Sequence, residues 1–247
     1  MKRIGKVFLI FLMLLLFLAG LAVTFYPNYH KASVDTSIHQ DVHSFYDQLE
    51  QIPQVTEETQ SAESEPTKIT AYPELLGEMQ AYNEALWEEK QAGLKDPWSY
   101  TQPSFSLGEY GIGNEIFGVI SIPKLELEMP LYLGATRQNL AAGAAHLSQT
   151  SLPIGGNNTN CVIAGHRGYH GATYFRYITD LKPGDTVIIK NLWETLTYTV
   201  CETKIILPHE VEEIHIQEGR DLLTLLTCYP YASGGKFRYL VFCQRTK

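Results

Sequence analysis

Two short apolar segments joined by a tight turn constrain this chain most, because they place chemically active side chains at the ends of neighbouring strands. The first segment, residues 222–227, consists of leucines with interleaved threonines and leads to Cys228. Pro230 and the Gly234-Gly235 pair predict a turn, and Arg238 opens the second segment. If the two strands lie side by side, the guanidinium comes close to the sulfur, where a cation stabilises a thiolate and its donors can hold an oxyanion.

A histidine occupies a comparable position at the end of another apolar run. Residues 161–164 predict a short strand, which Gly165, His166, Arg167 and Gly168 follow. A cysteine, a histidine and an arginine at strand ends would supply a thiol nucleophile, a proton carrier and an oxyanion stabiliser. The sequence therefore predicts one site built from three separate strand ends.

These residues resemble the catalytic constellation of the sortases, the membrane-anchored cysteine transpeptidases of Gram-positive surfaces. The resemblance is carried by Thr224-Leu-Leu-Thr-Cys228, which is close to the TLxTC signature of that family, by Gly165-His166-Arg167-Gly168, and by Arg238. Further segments in the family's order extend the resemblance over roughly residues 115–245. It implies that Cys228 is the nucleophile, His166 the proton carrier and Arg238 the oxyanion stabiliser.

A second motif is similar to the lid of the pilin-polymerising class C sortases. Lys95-Asp96-Pro97-Trp98 follows a predicted helix, as the lid motif does in that class. The resemblance implies that Asp96 lies near the charges of Cys228 and Arg238, and that Trp98 lies against the wall of the cleft. Taken alone, Asp-Pro is an ordinary turn starter and the tryptophan an ordinary buried anchor.

The class resemblance implies a transpeptidase that cleaves an LPxTG-like sorting signal and joins the acyl product to a lysine amine of a pilin subunit. Its partners would be LPxTG-like surface proteins or pilins, and this chemistry needs no metal or organic cofactor. Two alternatives stay open. One is a housekeeping sortase that transfers surface proteins to a peptidoglycan amine, and the other is a catalytically silent scaffold that binds pilins.

The N-terminus predicts a membrane anchor. Residues 7–25 carry no charge, and a helix of this length, at about 1.5 Å per residue, can cross a hydrocarbon core of about 30 Å. Lys2, Arg3 and Lys6 precede the run, so we expect the N-terminus inside and the catalytic part on the extracellular face of a Gram-positive cell membrane. A signal peptide cleaved near Ala22 is the alternative. The net charge of −8 argues against a nucleic-acid partner.

Composition divides the chain into five segments. We expect a cytoplasmic tail at residues 1–6, a transmembrane helix at 7–26, a helical stalk and flexible linker at 27–72, a helix with the lid at 73–113, and the catalytic barrel at 114–247. Apolar residues at spacings of three and four predict the stalk helix over 35–52 and the next helix over 73–91. Residues 54–70 are rich in Thr, Glu, Gln and Ser and predict the linker.

The remaining pattern predicts a mainly β fold, a closed sortase-type β-barrel with short flanking helices. Apolar runs alternating with turns predict strands at residues 117–122, 129–133, 161–166, 186–190, 196–206, 222–228 and 237–243. Short helices are predicted near residues 138–145 and 173–181. Many short strands at close spacing favour a barrel over a doubly wound sheet.

The other cysteines and histidines predict no second reactive centre. Cys161, Cys201 and Cys243 lie inside apolar runs, where a buried thiol behaves as a small hydrophobe, and a disulfide among them stays open. Their spacing matches no zinc motif. His146 lies outside any reactive context and is expected to be structural, whereas His30, His39 and His43 in the stalk are expected to be solvated.

Overall fold

A closed eight-stranded barrel forms the C-terminal half of the computed structural model, which describes residues 2–52, 71–92, 94, 105–169 and 172–246. Its strands are β1 Ile116–Ile122, β2 Leu127–Leu133, β3 Ala144–His146, β4 Thr159–Ala164, β5 Thr186–Asn191, β6 Thr195–Ile206, β7 Asp221–Tyr229 and β8 Phe237–Arg245. The order around the barrel is β1-β2-β3-β4-β7-β8-β6-β5, and β5 pairs with β1 to close it. The predicted mainly β, closed-barrel fold is confirmed.

The strand directions place the two predicted catalytic motifs side by side. β4 and β7 pair in parallel although many residues separate them in the chain, whereas β7 and β8 form an antiparallel hairpin. β4 is buried along its whole length, because a neighbouring strand covers each edge and packed side chains cover both faces. Phe117, Leu131, Ile163 and Leu225 belong to the main hydrophobic cluster that fills the barrel.

One long helix, α1 Lys2–Gln51, precedes the barrel. It contains the uncharged residues 7–25, whose described side chains are exposed, and it is long and apolar enough to cross a membrane. The stalk helix expected over residues 35–52 is the outer part of α1. There Ile38, Val42 and Phe45 are buried in the hydrophobic cluster of the barrel, and the Tyr132 hydroxyl donates to Asp41 Oδ2 at 2.9 Å.

A second helix, α2 Pro73–Glu88, corresponds to the helix expected over residues 73–91. Leu75 and Met79 on its apolar face are buried in the same hydrophobic cluster as the barrel. The helix ends earlier than expected, because Lys90 and Gln91 both adopt positive φ angles near 51°. The predicted linker at residues 54–70 lies outside the described residues.

The segment between β2 and β4 contains a shorter helix than expected. The helix predicted at residues 138–145 is α3 Arg137–Ala142, where Thr136 Oγ1 accepts from the Asn139 N–H at 3.1 Å as an N-cap. Gly143 ends it, and the next three residues form β3, which pairs in parallel with β2. A Cβ at Gly143 would lie 2.5 Å from the Pro130 carbonyl oxygen, so glycine permits this close approach.

The helix predicted near residues 173–181 was wrong. This segment holds only the short 3₁₀ turn Ile178–Asp180, preceded by turns. Tyr174, which has a φ of 41°, is buried together with Phe175 and Ile178. Adjacent buried side chains at positions 174 and 175 direct this backbone into the core instead of along a helix.

Candidate active site

Strand register places Cys228 and Arg238 directly opposite each other. In the antiparallel β7–β8 hairpin, Cys228 is the partner of Arg238, so their Cα–Cβ bonds lie on the same face of the sheet. Both residues are half-buried. The close approach that the sequence predicted for this pair is therefore present in the fold.

The turn of the hairpin orients the guanidinium. Arg238 Nη1 donates to the Gly235 carbonyl at 2.6 Å and to the Phe237 carbonyl at 3.2 Å. Gly235 has a φ of 79°, and a Cβ built there would lie 2.9 Å from Arg238 Nη1 and 3.5 Å from the Cys228 sulfur. The thiol and the guanidinium therefore both lie close to the Cα of residue 235, and glycine leaves room for them because it has no Cβ.

β4 pairs in parallel with β7 on the side opposite β8, and His166 follows two residues after β4 ends. Ala164 is the partner of Leu226, and the Gly165 N–H then donates to the Leu226 carbonyl at 3.0 Å. Thr227 Oγ1 donates to the Gly165 carbonyl at 2.8 Å, which ties the two strand ends together. If the same register continued for two more residues, His166 would be the partner of Cys228.

Aromatic rings and a glycine hold His166. Its imidazole stacks on Tyr169, with ring centroids 4.6 Å apart and an interplanar angle of 16°, and it meets Tyr174 edge-on at 6.1 Å. Burial, together with the charges of Tyr169 and Asp35, raises the pKa of Tyr174 to about 12, so this phenol stays neutral at physiological pH. A Cβ at Gly165 would lie 2.6 Å from the Phe175 ring, so glycine lets the chain reach His166.

Two threonines of the signature segment have a structural role that sequence reasoning missed. Besides the Thr227 bond, Thr224 Oγ1 donates to Asn160 Oδ1 at 2.8 Å in the buried interior. Asn160 Nδ2 in turn donates to the Ile214 carbonyl at 3.0 Å. These bonds lock β7 against β4 and thereby position the ends of both strands. Interleaved threonines in an otherwise apolar strand were the available signal.

The remaining cysteines differ from Cys228 in their surroundings. All four thiols are free. Cys161 and Cys243 are buried, and burial raises the pKa of both thiols, which keeps them protonated and unreactive. The expectation of burial was wrong for Cys201, which is exposed. Leu196, Tyr198 and Val200 are the buried positions that alternate along β6, and Cys201 lies on the opposite, outward-facing side of that strand.

His146 is structural, in line with the sequence interpretation. Its ring is fully buried, and its Nε2 lies 3.2 Å from the Thr150 carbonyl oxygen and 3.3 Å from Thr150 Oγ1. Desolvation lowers its pKa to about 4, against opposing hydrogen bonds, so the ring is neutral at physiological pH. The two histidines therefore occupy different environments.

The predicted lid residues Asp96, Pro97 and Trp98 lie outside the described residues. Leu94, which precedes them, is buried in one hydrophobic cluster with Ala164 and Leu226. These two residues lie near the ends of β4 and β7, just before His166 and Cys228.

A separate cleft of about 520 Å³ lies at the opposite end of the barrel, between α2 and the starts of β4 and β7. Asn83, Trp87, Asp221 and Arg245 are among the residues that line it, and it includes none of the predicted site residues. Within the described ranges, no group of three or more His, Cys, Asp or Glu side chains could hold a metal ion.

Comparison with known proteins relates the barrel to one family. A family model described as a sortase domain matches residues 120–246. The chain is 30% identical over 130 residues to sortase D of Bacillus subtilis and 31% identical over 127 residues to sortase A of Bacillus anthracis, which is 52% and 51% of this chain. The matches span 63% and 58% of those two relatives, less than two thirds of either.

Solved structures match more of the chain than the barrel alone. Sortase C1 of GBS pilus island 1 has a TM-score of 0.70 and 28% identity, over 85% of this chain and 92% of that chain. Sortase C-1 of Streptococcus pneumoniae has a TM-score of 0.66 and 28% identity, over 84% and 98%. Sortase C-1 of Actinomyces oris has a TM-score of 0.60 and 32% identity, over 71% and 99%.

Proposed function

The chain belongs to the sortase family, and from this premise we propose that it is a membrane-anchored cysteine transpeptidase that assembles pili. It would cleave an LPxTG-like sorting signal and join the acyl product to a lysine amine of a pilin subunit. The observation that carries the proposal is the register that sets Cys228 opposite Arg238 and beside the end of β4, where His166 follows. Similarity to solved class C sortases over most of the chain favours the pilin acceptor.

In the first half-reaction, the Cys228 thiolate attacks the threonine carbonyl of the sorting signal. The carbonyl π electrons move onto oxygen, and the guanidinium of Arg238 stabilises this oxyanion. Collapse of the tetrahedral intermediate breaks the threonine–glycine C–N bond, and His166 as imidazolium gives its proton to the departing glycine amine. A thioester on Cys228 and a free glycine-containing tail result.

In the second half-reaction, a lysine amine attacks the thioester carbonyl. The new C–N bond forms, the C–S bond breaks, and the electron pair returns to the Cys228 sulfur. His166, now neutral imidazole, accepts the proton that the amine loses. The product is an isopeptide bond, and thiolate and imidazolium are both restored for the next cycle.

The membrane helix and the lid complete the proposed enzyme. Residues 7–26 would span the membrane with the N-terminus inside, because the basic residues precede the apolar run. The continuous helix α1 would then hold the barrel near the outer surface. Asp96 and Trp98 would cover the cleft and move aside during turnover.

The proposal is tested with the full chain in detergent micelles and an LPxTG peptide, by intact-mass detection of a thioester adduct. We expect an adduct that Cys228→Ala abolishes. Cys201→Ala serves as the matched control, because it removes an exposed thiol elsewhere on the barrel and should leave the adduct unchanged. An adduct that persists in Cys228→Ala would contradict the assigned nucleophile, and no adduct in any form would favour the silent scaffold.

The identity of the acceptor amine and the role of the lid are tested with the same full chain in detergent micelles. A lysine peptide should convert the thioester into an isopeptide product, whereas preference for the amine of a peptidoglycan stem peptide would favour the housekeeping alternative.

Trp98→Gly should speed adduct formation if the lid covers the cleft. Equal rates in the parent and Trp98→Gly proteins would contradict the lid.

A further inference from the structure

Two arginines beside the candidate site stack on tyrosine rings instead of pairing with carboxylates. The Arg167 Cζ lies 4.7 Å from the centroid of Tyr229, and the Arg176 Cζ lies 4.4 Å from that of Tyr231 and 5.7 Å from that of Tyr177. We call these five residues the arginine–tyrosine rim. Among the described residues, neither arginine forms an ion pair with a carboxylate.

Three other cations among the described barrel residues are paired with acids. The pairs are Lys124–Asp185 at 2.6 Å, Lys204–Glu213 at 2.7 Å and Arg245–Glu194 at 3.4 Å. The chain also carries more acidic than basic residues, with a net charge of −8. The two rim arginines therefore lack a described carboxylate in an acidic protein, and both lie in the segment after β4 that also contains His166.

The rim joins the loop after β4 to the loop after β7. A Cβ built at Gly168 would lie 3.3 Å from the Tyr231 ring and 3.7 Å from the Arg176 side chain, so the two loops meet there. Tyr231 is 51% exposed and Tyr177 is 47% exposed. A partner can therefore reach the aromatic rings, which lie only a few residues from His166 and Cys228.

Nε and Nη1 of Arg167 add an independent observation, since both atoms are buried and have no hydrogen-bond partner within the part of the chain that the structure describes. Unsatisfied guanidinium donors favour an anionic partner, because arginine binds carboxylates through two parallel N–H···O bonds. Arginine and tyrosine are also enriched among the few residues that dominate the binding energy of protein interfaces. The rim fits an acidic segment of another protein.

The proposed reaction explains why such a segment would be useful. An acceptor lysine arrives as an ammonium ion, and the rim arginines and Arg238 repel it. Carboxylates next to that lysine offset the repulsion by binding the rim. Once the lysine is near the thioester, the same arginines favour its neutral, nucleophilic amine.

We propose that the arginine–tyrosine rim binds an acidic segment of the acceptor protein, so that a lysine flanked by carboxylates is the preferred nucleophile. This inference rests on the proposed transpeptidase function. Acidic flanks would bring the amine to the Cys228 thioester, where the C–N bond forms and the C–S bond breaks. His166 would accept the proton from the amine, as in the second half-reaction.

The first experiment measures aminolysis by the full chain in detergent micelles. Acceptor peptides of equal length carry one lysine flanked either by glutamates or by glutamines, and mass spectrometry quantifies thioester and isopeptide product separately. We expect the glutamate peptide to react about fivefold faster, because partly exposed charge pairs each contribute only modestly. This ratio should shrink in high salt, which screens exposed charges. Equal rates for the two acceptors would overturn the inference.

Variants assign the preference to the rim. Arg167→Gln combined with Arg176→Gln should bring the ratio of the two rates close to one. The matched control is Arg220→Gln, which removes the same charge at the start of β7, where the side chain donates to Gln244 Oε1 at 2.7 Å. The control should keep the parent ratio. An unchanged ratio in the double variant would contradict the rim.

A binding measurement separates this inference from the proposed chemistry. Fluorescence anisotropy with Cys228→Ala compares the affinities of labelled glutamate and glutamine peptides without any turnover. Tighter binding of the glutamate peptide, lost in the double rim variant, supports the rim even if no thioester forms. Equal affinities overturn it, whereas a missing thioester with selective binding overturns only the transpeptidase function.

Discussion

The two ends of strands β4, β7 and β8 differ in how their charged groups are partnered. At the end where β4 and β7 begin, Asp221 accepts from the Gly156 N–H at 3.0 Å, the Tyr198 hydroxyl at 3.0 Å and the Thr159 hydroxyl at 3.4 Å. Arg245 pairs with Glu194 at this end, which we call the closed end because its charged groups are partnered. At the other end of the same strands, which we call the open end, Cys228 faces Arg238, and the rim arginines lie on tyrosines.

This difference teaches that a cavity and a reactive site need not coincide. The cleft of about 520 Å³ lies at the closed end, where a partnered carboxylate holds the strands and loops together. Burial and the nearby Asp221 charge raise the pKa of Tyr198 well above its usual value, so that phenol does not ionise at neutral pH. The open end is recognised instead by a half-buried thiol, a facing guanidinium and cations without described carboxylates.

The largest effect is expected from Arg238→Ala at the open end. Removing an oxyanion donor should slow thioester formation about a hundredfold or more. Arg245→Ala removes the same group from the other end of β8 and should change that rate by less than about twofold, because it touches no reacting atom. Quenched-flow intact mass measures both rates. A parent-like rate in Arg238→Ala would remove its assigned role and weaken the contrast between the ends.

The next largest effect is expected from Asp221 at the closed end, where a substitution should lower the stability of the fold and leave the rate of thioester formation unchanged. Asp221→Ala leaves the Gly156 amide and the Tyr198 hydroxyl without their acceptor, so the free energy of unfolding should fall by about 2 kcal/mol. Asp221→Asn keeps an acceptor oxygen and should lose less. Urea unfolding in detergent, followed by tryptophan fluorescence, measures both. A stable Asp221→Ala protein with a slowed thioester reaction would reverse the assignment of the two ends.

A pH-dependent loss of similar size is expected from the buried His146. Its folded-state pKa of about 4 lies below the ordinary value of about 6.5, so the unfolded chain binds the proton more readily. The contribution to stability is present above pH 6.5 and is lost as the pH falls towards 4. At pH 5 the loss should reach about 2 kcal/mol.

His146→Gln isolates this contribution from other titrating groups. We expect the difference in unfolding free energy between pH 7 and pH 5 to be smaller in the variant than in the parent. The comparison uses urea titrations at both pH values. An identical pH dependence in the two proteins would show that this ring carries no linked proton.

Much of the barrel was predictable because its long strands have apolar patterns and turn residues at their ends. β3 was missed since Ala144–His146 is too short for a pattern and forms only by pairing with β2 and β4. Cys201 was misjudged although Leu196, Tyr198 and Val200 alternate with polar residues, which already places position 201 on the outward face of β6. Local sequence could not report the pairing that forms β3.

Some contacts of the candidate site could likewise be predicted from the sequence, and others could not. The meeting of Cys228 and Arg238 was predictable, since one short turn joins their strands. The resemblance selected His166, but its place beside Cys228 depends on the parallel pairing of β4 with β7 and on the Thr227–Gly165 bond. The rim was not predictable, because the contact of Arg176 with Tyr231 joins two loops that are distant in sequence.

The smallest effect is expected from Gly235→Ala, which tests how closely the turn holds the guanidinium. The new Cβ would lie 2.9 Å from Arg238 Nη1, and this flexible side chain can shift by a few tenths of an ångström to accommodate it. We expect thioester formation to slow by about tenfold or less, since a displaced oxyanion donor keeps part of its effect.

Gly234→Ala is the matched control, because Gly234 also has a positive φ but a Cβ there meets nothing within 4 Å. Both variants should lose about 1 kcal/mol of stability from the strained backbone. Only Gly235→Ala should lose rate, and equal rate losses would show that backbone strain, rather than the position of Arg238, limits the reaction.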